Sequence, residues 1–294
     1  MRKSVVLLIG VLVVFMFLGI LMVQSLVVVQ RIASVSDVVG DVYVRARGNA
    51  EFQPLGATEH VLAGSAVKTG VDSTVTLNWV DGSRIRLGPK TSIKVRKCSL
   101  NTSTKKATSL FELDAGHIWA RVLTMLRSES KFEIRTPTAT AGVRGTVFYV
   151  GVGETGETTL AVYEGAVSLE ADASAETVQP GQQAMVVEGS APSVMPATGD
   201  LDWAQQQGII GPRLDLDLGP EVTVDADDRT LTVSGIAEPG AQVTINGSPV
   251  KLDRRNRFAA EVPIADAPEG MVVVSATDIR GHTTVRAIAV TRAA

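Results

Sequence analysis

The sequence predicts an all-β protein in which an N-terminal transmembrane helix precedes a stacked, solenoid-like β domain and a small β-sandwich. Three observations predict this architecture. The run Ser4–Gln30 carries no charge. From about residue 36 to residue 188, apolar and polar side chains alternate in short runs, which is typical of half-buried strands. From residue 220 onward, turn signals recur about every 8–12 residues, as they do in small sandwiches.

The apolar run is long enough to anchor the chain in a membrane. A helix needs about 20 apolar residues to cross the hydrocarbon core, and the apolar segment of a cleaved signal peptide is shorter, about 7–15 residues. No A-x-A cleavage signal closes the run, so we expect an uncleaved single-pass anchor over residues 1–31. Arg2 and Lys3 precede it, which predicts a cytoplasmic N-terminus. The body would then lie in the periplasm or extracytoplasmic space, held at the cytoplasmic (inner) membrane.

Residues 32–188 form the first predicted β domain. Its alternating runs include DVYVRA, STVTLNWV, SIKVRK and TLAVYEGAVSLE, separated by Gly, Pro, Asp and Asn. A G-x-[V/I] tripeptide opens three runs, at Gly40, Gly116 and Gly165. This recurrence predicts strand–turn units stacked in series, although the spacing is too irregular for a true repeat.

A linker with one short helix is predicted over residues 189–219. GSAPSVMPATGD is rich in Pro, Ser and Gly, and Asp200 or Asp202 could cap a helix in LDWAQQQGI. Residues 220–294 form the predicted sandwich, with runs such as TLTVSGIA, AQVTINGS and MVVVSATD between turns at EPGA, NGSP and DIRG.

Little in the sequence points to catalysis. The three histidines, His60, His117 and His282, lack partners at metal-ligand spacing. Cys98 is the only cysteine, so no intramolecular disulfide can form, and its basic strand lacks the context of a nucleophile. Asp225, Asp227 and Asp228 are solvated turn acids on the commoner interpretation and calcium ligands on the alternative. We expect no enzyme activity, no metal and no cofactor. A net charge of -3 gives no indication of nucleic-acid binding.

One region of the sequence is unusually rich in basic residues. Between Asp81 and Glu112 there is no acidic residue and there are eight basic ones. Alternation predicts that the apolar residues of this region point inward, and that four basic side chains share the opposite side: Arg84, Arg86, Lys94 and Arg96. This side is either an ordinary solvated face that discourages edge pairing or a docking face for an acidic protein or anionic envelope polymer.

The stretch TPTATAGVRGTVF, residues 136–148, is here called the TPT–RGT segment. A phosphate loop would need a following helix, whereas TVFYVGV is a strand, and a nucleic-acid clamp does not suit an extracytoplasmic location. The segment is therefore interpreted as a fold signature, with Arg144 bonded to nearby carbonyls or to Glu133 or Glu164. Its defining residues are Pro137, Gly142, Arg144, Gly145 and Thr146.

The first β region resembles the FecR domain, the extracytoplasmic part of bacterial iron-dicitrate-type sensor regulators. VVGDVYV, LDAGHIWARV, FEIRTPTATAGVRGTVFYV and VYEGAVSL follow one another in the order of that family. The resemblance implies an all-β stacked fold used for protein contacts, with no chemistry of its own. Those regulators hold a sigma factor through a cytoplasmic segment, and because three residues precede the apolar run here, sigma-factor regulation is not expected.

The C-terminal region is similar to bacterial Ig-like domains, through VSGIAEPGAQVTINGSPV, RFAAEVPI and VVVSATDIRG. That resemblance implies spacing, adhesion or oligomer contacts. Taken together, we expect a non-catalytic envelope protein that scaffolds a complex or senses a ligand or partner. A transmembrane signalling regulator acting through a partner effector and an envelope glycan-acting enzyme are the alternatives.

Overall fold

The structure is a computed structural model of the chain. It describes Met16 and residues 28–57, 59–123, 130–197, 210–219, 221–225, 229–264, 270–279 and 281–292. Among these residues, no helix has the length and apolar character needed to cross a membrane. Most of the anchor predicted over residues 1–31 lies outside the described residues, but its described end, residues 28–30, forms a strand, so a membrane helix would have to end before residue 28. The predicted linker helix and the acidic residues Asp227 and Asp228 also lie outside the described residues.

The N-terminal part of the structure contains eighteen strands that close into a barrel. The strands are β1 (Val28–Gln30), β2 (Ala33–Val39), β3 (Val42–Arg45), β4 (Gln53–Pro54), β5 (His60–Val61), β6 (Ala66–Thr69), β7 (Thr74–Asn78), β8 (Arg84–Leu87), β9 (Ser92–Asn101), β10 (Ala107–Val122), β11 (Lys131–Arg135), β12 (Thr140–Val143), β13 (Thr146–Val152), β14 (Thr158–Glu164), β15 (Val167–Ala171), β16 (Ser174–Val178), β17 (Gln182–Val186) and β18 (Ser193–Pro196).

Two faces of the barrel are joined through the long strand β10. Its first half pairs with β9, up to Ala115 opposite Ser92, and its second half pairs with β8 and β13 from Gly116 onward. We call the β9 side sheet 1 and the β8–β13 side sheet 2. Gly116 sits at the corner with φ +78°, and a Cβ there would meet the Lys90 carbonyl oxygen at 2.7 Å. Only glycine can therefore turn β10 from one sheet into the other.

The predicted alternation is confirmed by the barrel core. Trp79, Phe111 and Phe148 are among its largest fully buried side chains, and the Trp79 and Phe111 rings meet edge to face at 5.5 Å. The stacked, solenoid-like arrangement is not confirmed, because the strands close on themselves. Like Gly116, the recurring glycines Gly40 and Gly165 have positive φ, and both lie at turns between strands.

A C-terminal module follows, made of β19 to β26. Its strands are β19 (Leu214–Leu216), β20 (Glu221–Val224), β21 (Thr230–Ala237), β22 (Gln242–Ile245), β23 (Ser248–Val250), β24 (Arg257–Pro263), β25 (Met271–Thr277) and β26 (Thr283–Arg292). They form one sheet of order β19-β21-β24 and another of order β20-β26-β25-β22-β23. Val233 and Phe258 of the first sheet share one buried cluster with Val243, Val274 and Ile288 of the second. The module is thus a β-sandwich, and its relation to Ig-like domains stays a prediction.

Candidate functional site

Two arginines lie side by side on the outer face of sheet 2. Arg84 on β8 is directly opposite Arg121 on β10 in the antiparallel register, while the intervening Ile85 and Ala120 point into the core. Outward residues of a barrel strand are normally solvated, yet Arg84 is 5% exposed and Arg121 is 4% exposed. We call these two residues the arginine pair. Another part of the chain must therefore cover them.

The cover is the C-terminal module, which supplies the acceptors that the arginine pair needs. Arg121 donates from Nη1 to Glu238 Oε2 at 2.5 Å and from Nη2 to Asp278 Oδ2 at 2.8 Å. Arg84 donates through Nη2 to the Gly211 carbonyl. The carboxylates come from two separate loops of the sandwich, after β21 and after β25. Charge-assisted hydrogen bonds of this kind are stronger than neutral ones and fix the orientation of both partners.

Burial shifts the pKa of one member of the arginine pair. Burial first, and the neighbouring Arg121 guanidinium second, lower the pKa of Arg84 to about 10 against the raising effect of Glu238. The Arg84 guanidinium therefore still carries its charge at neutral pH. Removing four charged groups from water is costly, so such a cluster adds more to the specificity of a contact than to its strength.

An apolar patch extends the contact beside the arginine pair. Ile210, at the entry to the C-terminal module, packs on Val147 together with Trp119 and Tyr163 of sheet 2. Beyond this patch the face continues through half-buried aromatic rings, with His117 at 4.7 Å from Trp119 between ring centroids. Sheet 2 therefore presents a mixed charged and aromatic surface, the composition found in protein interfaces.

The rings of this surface are partly withdrawn from water. Tyr149 is opposite Trp119 in the strand register, and their ring centroids are 6.1 Å apart. Burial raises the pKa of the Tyr149 hydroxyl and lowers the pKa of the His117 imidazole. Both groups are therefore uncharged near neutral pH and can contact a partner as amphipathic rings.

The structure corrects the predicted basic face. Arg84 and Arg86 lie on sheet 2, whereas Lys94 and Arg96 lie on β9 in sheet 1, so the four side chains do not share one surface. Arg84 is not solvent-exposed, because the C-terminal module covers it. Arg86 is half-buried and donates to Thr74 Oγ1 at 3.2 Å. Partner binding by these residues stays a prediction.

Lys94 and Arg96 are neutralised by the neighbouring strand. Lys94 Nζ is 3.0 Å from Asp114 Oδ2, and Arg96 Nε is 2.7 Å from Glu112 Oε2. The hydrogen bond to Glu112 also raises the pKa of Arg96. Both acids lie on β10, where the stretch of sequence without acidic residues ends. The antiparallel register brings them back alongside it, with Glu112 opposite Lys94.

Sequence reasoning missed Arg121, Glu238 and Asp278. Arg121 is an isolated charge in HIWARV at an outward position, which is the one signal that could have marked it. The two acids lie in turns, where solvated carboxylates are ordinary. Among the described residues, no group of three or more His, Cys, Asp and Glu side chains could hold a metal ion. Cys98 is 1% exposed, and burial raises the pKa of its thiol.

Comparison with known proteins identifies the barrel region. Residues 65–168 match the family described as FecR protein. These residues are a FecR domain. No curated protein is similar enough in sequence to count as a match.

Two solved structures are similar to part of this chain. Both are of a candidate anti-sigma factor from Parabacteroides distasonis. The first is 20% identical with a TM-score of 0.38, and the match covers 49% of this chain and 65% of that chain. The second is 18% identical with a TM-score of 0.38, and the match covers 53% of this chain and 68% of that one. This chain thus spans a little less than two thirds of the first of these proteins.

Threonine hydroxyls fix the start of the TPT–RGT segment within the FecR domain. Thr136 and Thr138 lie on either side of the exposed Pro137, and their hydroxyls are 2.6 Å and 2.7 Å from the Thr158 hydroxyl on β14. Thr136 Oγ1 also accepts from the Ala139 amide at 3.0 Å. The proline turn is thereby tied to the neighbouring strand.

The end of the segment ties two turns together. Gly145 has φ +64°, a backbone conformation that favours glycine. Thr146 is 1% exposed and donates its hydroxyl to the Ala166 carbonyl at 3.0 Å, with the Arg144 carbonyl at 3.2 Å. Gly142, by contrast, lies in β12 with negative φ and no close neighbour.

Arg144 does not have the predicted role. Its side chain is exposed at the turn between β12 and β13, and Glu133, one predicted partner, instead pairs with Lys131 and Arg135 on its own strand. What the segment needs from Arg144 is the backbone carbonyl that faces Thr146. We therefore expect Arg144→Ala to leave the free energy of unfolding nearly unchanged, because surface substitutions usually change it by less than about 0.5 kcal/mol.

A matched glycine pair tests this interpretation of the FecR domain. We expect Gly145→Val to lower the free energy of unfolding by about 1–3 kcal/mol, because a β-branched residue is strained at positive φ. Gly142→Ala, three residues earlier on the same segment, should change it by less than about 0.5 kcal/mol. Urea unfolding of both variants measures the difference. Equal stabilities would mean that the Gly145 conformation is dispensable.

Proposed function

We propose that this chain is a non-catalytic, membrane-anchored protein of the bacterial envelope whose FecR domain works through protein contacts. The part of the apolar run that precedes β1 would anchor it in the cytoplasmic membrane with the body outside, where it scaffolds a complex or senses a partner. One observation carries the proposal. The outer face of sheet 2 is built for protein contact, because its arginine pair is buried by a second folded module that neutralises it.

The composition of that face supports contact rather than chemistry. Buried guanidinium–carboxylate bonds set the geometry of the contact, and the Ile210 patch supplies apolar area beside them. Contacts between domains of one chain resemble transient protein interfaces, which combine polar and apolar parts in this way. The rings beyond the patch, His117 and Tyr149, extend the same surface toward a further partner.

A transmembrane signalling regulator acting through a partner effector is the second candidate. Strand β1, which the last residues of the apolar run form, pairs with β9 of the barrel. Arg31 then binds Asp81 and donates to Ser109 at 3.1 Å. This attachment ties the last residues of the apolar run to the barrel, so a partner that binds the FecR domain could act on the membrane segment.

Protease accessibility tests the location that both candidates share. In cells with a permeabilised outer layer, we expect added protease to degrade the chain beyond Arg31 while a cytoplasmic control protein survives. Resistance until the cells are lysed would contradict the proposed topology. Deletion of residues 1–27, which leaves β1 in place, then separates the candidates, because a scaffold loses its position whereas a regulator loses a downstream response.

A further inference from the structure

The strand register identifies which end of the barrel faces the predicted anchor. Val28, the first residue of β1, lies opposite Asn101, the last residue of β9, and Gln30 lies opposite Ser99. Opposed Cα atoms in antiparallel pairs are about 5 Å apart. The turn between β9 and β10, residues 102–106, therefore projects from the same end of the barrel at which the chain arrives from its apolar run.

This turn has a defined shape and a basic surface. Asn101 Oδ1 accepts from the Ser103 and Thr104 amides at 3.0 Å and 2.9 Å, and the Asn101 amide donates to the Lys106 carbonyl at 2.9 Å. The side chains of three lysines are exposed here: Lys97, Lys105 and Lys106. We call this group the lysine cluster.

The lysine cluster has no acidic counterpart in the part of the chain that the structure describes. The acids of β10 pair with Lys94 and Arg96, farther from the turn. At the turn end Lys97 lies opposite Leu110 instead. The positive charge at this end is thus left for something outside the barrel.

Apolar side chains are exposed beside the lysine cluster. Val28 and Val29 are each 51% exposed, and Ile32 is 44% exposed. Exposed aliphatic groups next to lysines, directly after a membrane-spanning segment, suit the boundary between headgroups and acyl chains. A soluble acidic partner would account for the exposed lysines but not for the exposed apolar side chains beside them.

We infer that the lysine cluster binds anionic lipid headgroups, so that the turn between β9 and β10 rests on the surface of the membrane in which the chain is anchored. The inference deepens the proposed function and rests on its membrane anchor. Phosphate groups of the lipids would accept from the lysine ammonium groups, while Val28, Val29 and Ile32 contact the interface. The barrel would then be held in one orientation by β1 and by the turn.

Fluorescence quenching in reconstituted bilayers tests this contact with the full chain. Ser103→Cys places a fluorophore on the turn, and Cys98 should escape labelling because it is 1% exposed. Quenching by headgroup-attached nitroxide lipids is compared between phosphatidylcholine nanodiscs and nanodiscs that also contain phosphatidylglycerol. We expect about twofold stronger quenching with the anionic lipid, and loss of that increase at high salt.

Two triple variants separate the lysine cluster from total charge. Lys97→Gln, Lys105→Gln and Lys106→Gln together should return quenching to the phosphatidylcholine level. Neutralising three exposed cations of the C-terminal module in the same way should leave it unchanged: Lys251, Arg254 and Arg255. The inference would be overturned if both variants lost the same amount of quenching, or if quenching were the same with and without anionic lipid. Strong quenching that neither salt nor the substitutions reduce would also overturn it, since the tether alone would then explain proximity.

Flotation of the same samples separates this inference from the proposed function. A chain that resists alkaline extraction but shows no lipid-dependent quenching keeps its anchor and refutes only the headgroup contact. A chain that alkaline buffer removes from the bilayer lacks the anchor, and both proposals then fail. Binding of a soluble acidic peptide in place of lipid, with quenching absent, would assign the lysine cluster to a protein partner instead.

Discussion

Arg121→Met is expected to lower the free energy of unfolding by about 3–5 kcal/mol, because it leaves buried carboxylates without their cation. The side chains of Glu238 and Asp278 are 5% and 8% exposed. Water cannot replace the lost guanidinium without opening the contact between the FecR domain and the C-terminal module. Equilibrium urea unfolding of the full chain measures the loss, and limited proteolysis reports whether the two parts separate first.

Arg286→Met is the matched control for this prediction. Arg286 lines the groove beside the same contact but is exposed, so its replacement should change stability by less than about 0.5 kcal/mol. A double-mutant cycle of Arg121→Met with Glu238→Gln should show strong coupling, since the two side chains share a hydrogen bond. Independent effects, or equal stability of the Arg121 and Arg286 variants, would show that the arginine pair does not hold the contact together.

The second large effect is expected at the paired turns of the FecR domain. Gly165 has φ +81°, and a Cβ there would overlap the Gly145 carbonyl oxygen and lie 3.0 Å from Thr146 Cα. Both obstacles are backbone atoms, which cannot rotate away. We expect Gly165→Val to lower the free energy of unfolding by about 2–5 kcal/mol through backbone strain and overpacking.

Gly181→Ala measures the contribution of backbone strain alone to the expected loss of stability. Gly181 has nearly the same φ, +80°, but nothing lies within 4 Å of a Cβ at that position. Its variant should lose about 1–2 kcal/mol, the cost of placing an L-residue in the left-handed region. Thermal unfolding of the two proteins compares them. A smaller loss for Gly165→Val than for Gly181→Ala would show that the two turns are not packed against each other.

Local pattern predicted much of the barrel, because alternation reports directly which side chains face the core. Ile85, Leu87, Ile93 and Val95 point inward as the pattern requires. The sequence of a strand does not show what its outward-facing side chains contact. Arg84 has the same alternation whether its face meets water or a second module, so its burial could not be read from β8 alone.

The remaining features depend on contacts between residues far apart in the chain. Glu112 neutralises Arg96 through the antiparallel register of β9 and β10, and Glu238 reaches Arg121 across 117 positions. Closure of the barrel likewise follows from strand pairing rather than from strand pattern, which explains why a stacked arrangement was predicted. Glycines in turns were easier to predict, because a glycine in a turn sequence itself indicates a positive φ, as at Gly145.

Photo-crosslinking in living cells tests most directly the claim that the FecR domain acts by extracytoplasmic protein contact. A photoreactive residue at position 149 samples the aromatic surface of sheet 2, and one at the exposed position 170 samples sheet 1 as the control. We predict an adduct with an envelope protein from position 149 that is absent from position 170. Adducts with cytoplasmic proteins only, or no adduct from position 149, would contradict the account.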